Sequence, residues 1–232
     1  MQNLPLSLGD DALFLGHRLS EWCGHAPTLE IDLALANIGL DLLGQAQFFL
    51  ARAGELEGQG RDADALAYRR NEYEFQNCVL VEQPNGDFAR TIARQFLFSS
   101  WQELLFTSLA GGDDKSIAAI AAKACKEVTY HTSFAADWLI RLGDGTAESH
   151  TRMAEGLEWC WRFTDELFSG DEAALRPAWD ATVNETLTQA GLDRPKPVRG
   201  ITGGRDGRHS EHLGHILSEM QYLQRVFPDA VW

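Results

Sequence analysis

Ile31, Leu35, Ile38, Leu42, Gln45 and Phe49 follow one another at intervals of four, three, four, three and four residues. Such a row lies along one side of a 3.6-residue helix; a strand repeats its faces every two residues and offers no such line. A helix with so long a seam must bury it against other helices. Thr28, just after Pro27, stands where the N-cap of this helix belongs. The same spacing recurs before and after it. Leu8, Ala12, Leu15, Leu19 and Trp22 mark a helix over 7–25, with Ser7 as cap and Asp10 and Asp11 in the first turns, where acids suit the helix dipole. Ile117, Ile120, Ala124, Val128, His131, Ala135, Trp138 and Leu142 mark another over 113–142.

Further helices are predicted over 62–81, 87–110 (capped by Asp87), 147–168, 177–190 and 210–226. Breaks fall at Gly54–Gly60, Pro84-Asn85-Gly86, Gly111-Gly112 and Gly143-Asp144-Gly145, and the glycine- and proline-bearing stretch 193–208 reads as loop. No strand and no repeat is evident. Long helices joined by short loops predict an all-α, four-helix bundle with additional helices, forming a single domain over 1–232. Ala34, Gly39 and Gly44 on the second helix would let a neighbour approach closely.

Charge narrows the function. The chain carries 34 acidic and 20 basic residues, a net −14. This excludes a phosphate-neutralising nucleic-acid surface and disfavours anionic lipid. No apolar run is read as reaching the roughly 20 residues of a bilayer span. Met1–Pro5 lacks the start of a signal peptide. Cys23, Cys78, Cys125 and Cys160 form no C-x-x-C pair. They are expected to be buried, reduced thiols, which points to a cytoplasmic protein.

A bundle can hold two irons when two helices each give a carboxylate and two others each give Glu-x-x-His. No Glu-x-x-His occurs in the chain. His131 has Val128 three residues before it, and Glu127 is one residue too far. His17, Glu21 and His25 recur every four residues and form either a metal-binding face or a plain polar one. His212 and His215 can bind zinc as a pair but have no third ligand nearby in sequence. Asn37, Asp41 and Gln45 make a second row on the long helix, either an interhelical polar network or the remnant of a catalytic centre. Arg194, Lys196, Arg199, Arg205 and Arg208 gather in the loop. They are either solvated or poised for an acidic partner or a phosphate-bearing ligand.

The strings Glu21–Pro27 and Leu29–Ala46 together resemble a known family. So do Val81–Gly86, Lys126-Glu127 with Tyr130-His131, and Glu211-His212-Leu213 with Glu219–Leu223. The resemblance is to the C subunits of the bacterial ring-epoxidising phenylacetyl-CoA oxygenases. It implies a ferritin-like fold and a non-catalytic role in phenylacetate degradation. It also implies a hetero-oligomer with a homologous A subunit, which holds the di-iron centre and binds the CoA thioester. Carried over residue by residue, the first Glu-x-x-His of the catalytic relatives falls on Leu42 and Gln45, the second on Val128 and His131. Glu21 would be the first-helix carboxylate; Gln102 and Glu103 are the nearest candidates for the fourth. The resemblance therefore implies no metal, cofactor or catalytic residue in this chain, only a vestigial centre with a polar network through Asn37 and Asp41. Partner contacts are expected on the second helix's outer side, on the helix with Tyr68, Tyr73 and Phe75, and at Arg199, Arg205 and Arg208. Two other readings compete. One is an active ferritin-like metalloenzyme with atypical ligands among His17, Glu21, His131 and His215. The other is a free-standing helical adaptor.

Overall fold

The computed structural model describes residues 4–228 and 230. Among these residues ten α-helices and no strand are formed, as an all-α, ferritin-like class requires. In chain order they are α1 (Leu4–Ser20), α2 (Leu29–Glu57), α3 (Ala63–Tyr68), α4 (Val79–Glu82), α5 (Phe88–Ala110), α6 (Lys115–Gly143), α7 (Ala147–Trp161), α8 (Arg176–Gln189), α9 (Glu211–Met220) and α10 (Tyr222–Val226). They sort into two compact units. One joins the chain up to Pro84 to the stretch from Gly203 onward; the other is Asn85–Thr202.

The first unit is built on the antiparallel pair α1 and α2. The seam of α2 is buried along its length, from Ile31 to Phe49. Thr28 caps it, its hydroxyl accepting from the N–H of Ile31 at 3.4 Å. The pair closes tightly at Gly16 and Gly39, where a Cβ on Gly16 would stand 3.2 Å from the Gly39 carbonyl. Gly44, by contrast, faces open space. The break expected at Gly54 comes later. A Cβ on Gly54 would fall 2.1 Å from the Arg61 carbonyl, so this glycine permits a close crossing inside the helix. Gly58, at φ 69°, ends α2 in the left-handed conformation that glycine adopts without strain.

Two other boundaries move. Helix α1 starts at Leu4 with Pro5 in its first turn, where a missing N–H costs nothing. It stops at Ser20, so Glu21, Trp22, Cys23 and His25 lie in the turn beyond. Ser7 is inside the helix and its hydroxyl bonds back to the Leu4 carbonyl at 3.0 Å. Asp10 and Asp11 are mid-helix and fully buried, not solvated first-turn acids. The helix expected over 62–81 is interrupted: α3 and α4 are separated by a single 3₁₀ turn at Glu72–Glu74 and by extended backbone. The reason lies in those aspartates, which draw the N–H groups of Gln76 and Cys78 away from any helical ladder.

In the second unit α5 is buried at every residue from Thr91 to Gln102 and pairs antiparallel with α6. Asp87 and Asp114 cap these helices, accepting from the N–H groups of Arg90 at 2.9 Å and of Ser116 at 2.9 Å. Trp161, Phe168 and Trp179 stack together against α5, and the Trp179 indole N–H donates to the Leu97 carbonyl at 3.1 Å.

Candidate functional site

Helix α2 alone separates the residues of the expected centre. A four-residue step turns a helix by about 40° beyond a full circle. The row Asn37, Asp41, Gln45 therefore rotates across the face. Gln45 is in the buried seam, Asp41 at its half-buried edge, and Asn37 is on the surface, outside any core network. Leu42 is buried in the seam and has no donor atom. On α6, Val128 and His131 are fully buried. Glu21 is not on a helix at all. Its side chain is 46 % exposed and accepts from Arg18 Nη1 at 2.7 Å. On α5, Gln102 is buried, while Glu103 Oε1 accepts from the Thr129 hydroxyl at 2.8 Å. Leu42 and Val128 carry no donor atom, so neither position can ligate iron.

The other candidates are dispersed. His17 is half-buried, and burial, opposed by Glu21, lowers its pKa. His25 is exposed, its Nδ1 3.0 Å from the Cys23 carbonyl. His212 is half-buried and His215 exposed. Among the described residues no three His, Cys, Asp or Glu side chains are gathered as a metal ion requires. Cys78 and Cys160 are buried thiols; Cys125 is half-buried and Cys23 exposed, the latter because α1 ends early.

What the first unit does assemble is a buried charge cluster with no signal in local spacing. Asp10 grips the Arg70 guanidinium with both oxygens and accepts from Gln76 N–H at 2.8 Å. Asp11 accepts from Cys78 N–H at 2.7 Å and from Arg205 Nη2 at 2.7 Å. Glu82 takes four donors: Asn77 Nδ2 at 2.9 Å, His209 Nδ1 at 2.6 Å, and the N–H and hydroxyl of Ser210 at 2.8 and 2.6 Å. Its carbonyl accepts from Arg18 Nη2 at 2.6 Å. His209 Nε2 meets the Phe75 carbonyl at 3.0 Å. Both ring nitrogens thus face oxygens that only accept, which calls for the doubly protonated imidazolium.

Burial pushes Asp11 up to about 6, against the pull of Arg205. It likewise raises Asp10 against Arg70. Burial works against a charged His209, but the Glu82 hydrogen bond and charge win and raise its pKa. All six carboxylate oxygens are engaged, so none is held ready as a general base. The cluster ties α1 and the 70–82 segment to residues 205–210.

This cluster also redraws the basic loop. Arg205 is an internal clamp, not a surface cation. Arg194 is taken by Asp180 at 2.5 Å and Asn184 at 2.7 Å. Arg199 is exposed, and Arg208 pairs at the surface with Asp206 at 3.0 Å. Of the aromatic candidates, Phe75 is buried against Phe14, Tyr68 is half-buried and Tyr73 is 70 % exposed.

The outer side of α2 carries a different signal. Leu29, Leu33, Leu40 and Phe48 are exposed by 71, 56, 66 and 45 %. Leu29, Leu33 and Leu40 line up at helical spacing opposite the buried seam, with Phe48 on its flank. With both sides apolar, α2 is long and apolar enough to cross a membrane by length and composition alone, contrary to the expectation that no run would be; 44 % of its most apolar stretch is buried. Tyr222, Leu223, Val226 and Phe227 expose a second apolar group at the end of the first unit, which sequence spacing did not reveal.

Comparison with known proteins decides the family. The profile described as "Phenylacetic acid catabolic protein" matches residues 2–232. The chain belongs to the phenylacetic acid catabolic protein family. A protein of Escherichia coli (strain K12), named as the C subunit of 1,2-phenylacetyl-CoA epoxidase, is 52 % identical, over 98 % of this chain and 97 % of its own length. A family match over essentially the whole chain leaves both units inside one phenylacetic acid catabolic protein.

Proposed function

We propose that the chain is the non-catalytic structural subunit of a phenylacetyl-CoA ring epoxidase complex. It would support a homologous di-iron subunit in aerobic phenylacetate degradation. The carrying observation is the pair of buried apolar residues, Leu42 and Val128, at the positions that the catalytic pattern assigns to glutamates. The Escherichia coli relative, named as one subunit of an epoxidase, supports the assignment to a multi-subunit enzyme. On this reading iron resides in the partner. Buried free thiols at Cys78 and Cys160 suit a cytoplasmic setting.

The partner is proposed to seat on the outer side of α2. Its leucines are uncharged in a chain of net −14, so they can be covered without desolvating a charge. A permanent complex buries upward of about 2,000 Å², and Arg208, paired with Asp206 at the surface, adds little to it. Co-expression with the homologous subunit, followed by sizing and iron analysis of each chain, tests the proposal. One complex whose iron follows the other chain supports it. About two irons per copy of this chain purified alone makes it a metalloenzyme, and no co-elution makes it an adaptor. Leu33→Lys combined with Leu40→Lys should abolish co-elution and change the stability of the lone chain by less than about 0.5 kcal/mol. Co-elution that survives moves the contact off α2.

A further inference from the structure

The fully buried stretch of α5 contains a row of neutral polar residues, Thr91, Gln95, Ser99 and Gln102, on one side of the helix. Their spacing of four, four and three residues keeps them in line. Thr91 settles its hydroxyl on the Asn85 carbonyl at 3.1 Å. Gln95 and Ser99 do not settle within the protein. Both polar atoms of the Gln95 amide and the Ser99 hydroxyl are buried and find no hydrogen-bond partner among the described residues.

Such groups are costly when dry. An amide offers two donors and a carbonyl, a hydroxyl one donor and two lone pairs. Each left unmet in the interior costs desolvation with no return, and folded proteins rarely tolerate it. The neighbours on α5 show that the position could have been apolar, since Ile92, Phe96 and Phe98 fill the same stretch of helix. Gln95 and Ser99 stand one turn apart on the same side of α5, yet no hydrogen bond joins them. One water can bridge two such groups with hydrogen bonds of about 2.8 Å on each side.

We propose that Gln95 and Ser99 form an internal hydration site, in which a bridging water joins the amide to the hydroxyl and further water completes the amide. The ligand is water and not a cation, because no carboxylate belongs to the row. The site accounts for a polar row in the most buried helix of the unit, where a dry amide would destabilise the fold.

The test uses the full chain. A well-ordered crystal structure should show density within about 2.6–3.2 Å of Gln95 Oε1, Gln95 Nε2 and Ser99 Oγ. Gln95→Met keeps the length of the side chain and removes its polar atoms. If the site is hydrated, this variant strands the waters, and Tm falls by about 2–4 °C, the shift expected for one lost interaction in a chain of this size. Ser99→Ala should remove the bridging density and leave the rest. A Gln95→Met variant with raised Tm, or an amide seen packed only against carbon, overturns the proposal. So does an amide rotated onto a protein donor or acceptor.

Discussion

The two units solve the same problem with different chemistry. The first keeps Asp10, Asp11, Arg70 and Glu82 buried and closes itself with ion pairs. The second buries mainly neutral polar groups, among them Gln95, Ser99 and Thr132, and closes on α5 with Trp161, Phe168 and Trp179. The difference follows chain continuity. The second unit is one uninterrupted segment whose helices meet through side chains already set in helical register. The first joins segments far apart in sequence and includes irregular backbone at 69–78. Irregular backbone presents free N–H and C=O groups and has no ladder to place them. Directional, charged partners supply that placement, at the cost of desolvation, whereas apolar packing alone would leave several registers close in energy.

The largest test of this contrast is Arg70→Met. It leaves Asp10 buried without its cation and should cost about 3–5 kcal/mol in urea unfolding. Adding Asp10→Leu should recover much of that loss, because the stranded charge is what destabilises. If the double variant is no better than the single one, the cluster matters through packing and not through charge.

Next in size is pH dependence, which should belong to the first unit alone. Asp11 is raised from 3.8 to about 6, so the folded state favours its protonated form. Its charge therefore costs nothing below about pH 4, costs progressively more as pH rises, and costs about 2–3 kcal/mol above pH 6. His209 is raised above 6.5, and Glu82 and Glu72 are the charges that hold it there. Its contribution is complete below 6.5 and is lost as pH rises through the folded pKa. The two effects have the same sign, so α1 should lose protection in hydrogen exchange as pH rises, after correction for the intrinsic exchange rate. Asp11→Asn should flatten the acidic part of that profile and His209→Gln the alkaline part. An equal slope on α5 would erase the distinction between the units.

The smallest test is in the second unit. Trp179→Phe keeps most of the ring contact and removes the neutral hydrogen bond to Leu97, for about 1 kcal/mol. A loss approaching that of Arg70→Met would show the aromatic cluster to be as directional as the ion pairs.

The long helices were legible. Thr28, Asp87 and the seam of α2 act within a turn or two of themselves, so their signals survive without knowledge of the fold. Leu42 and Val128 are apolar by residue type, which needs no structure to read. Where expectation and structure part, a distant group intervened. Asp10 and Asp11 read as dipole-favouring acids because their spacing to Ser7 is right. The 62–81 stretch read as one helix because its composition allows it. Asn37 read as core because its row contains Gln45, and Arg205 as a surface cation because its neighbours are charged. Glu82 and His209 gave no signal at all.

By itself the sequence determined that the chain is helical, where the long helices α2, α5 and α6 run, and that Leu42 and Val128 have no donor atom for a metal. These are properties of residue type and of a period of 3.6, which a chain carries before it folds. Only the tertiary structure decided which charges would be buried and with whom. Arg70 lies 60 residues from Asp10, and Arg205 lies 194 from Asp11. No local pattern encodes a pairing across such separations. Burial, which turns an ordinary aspartate into one that titrates near 6, exists only once the segments around it have packed.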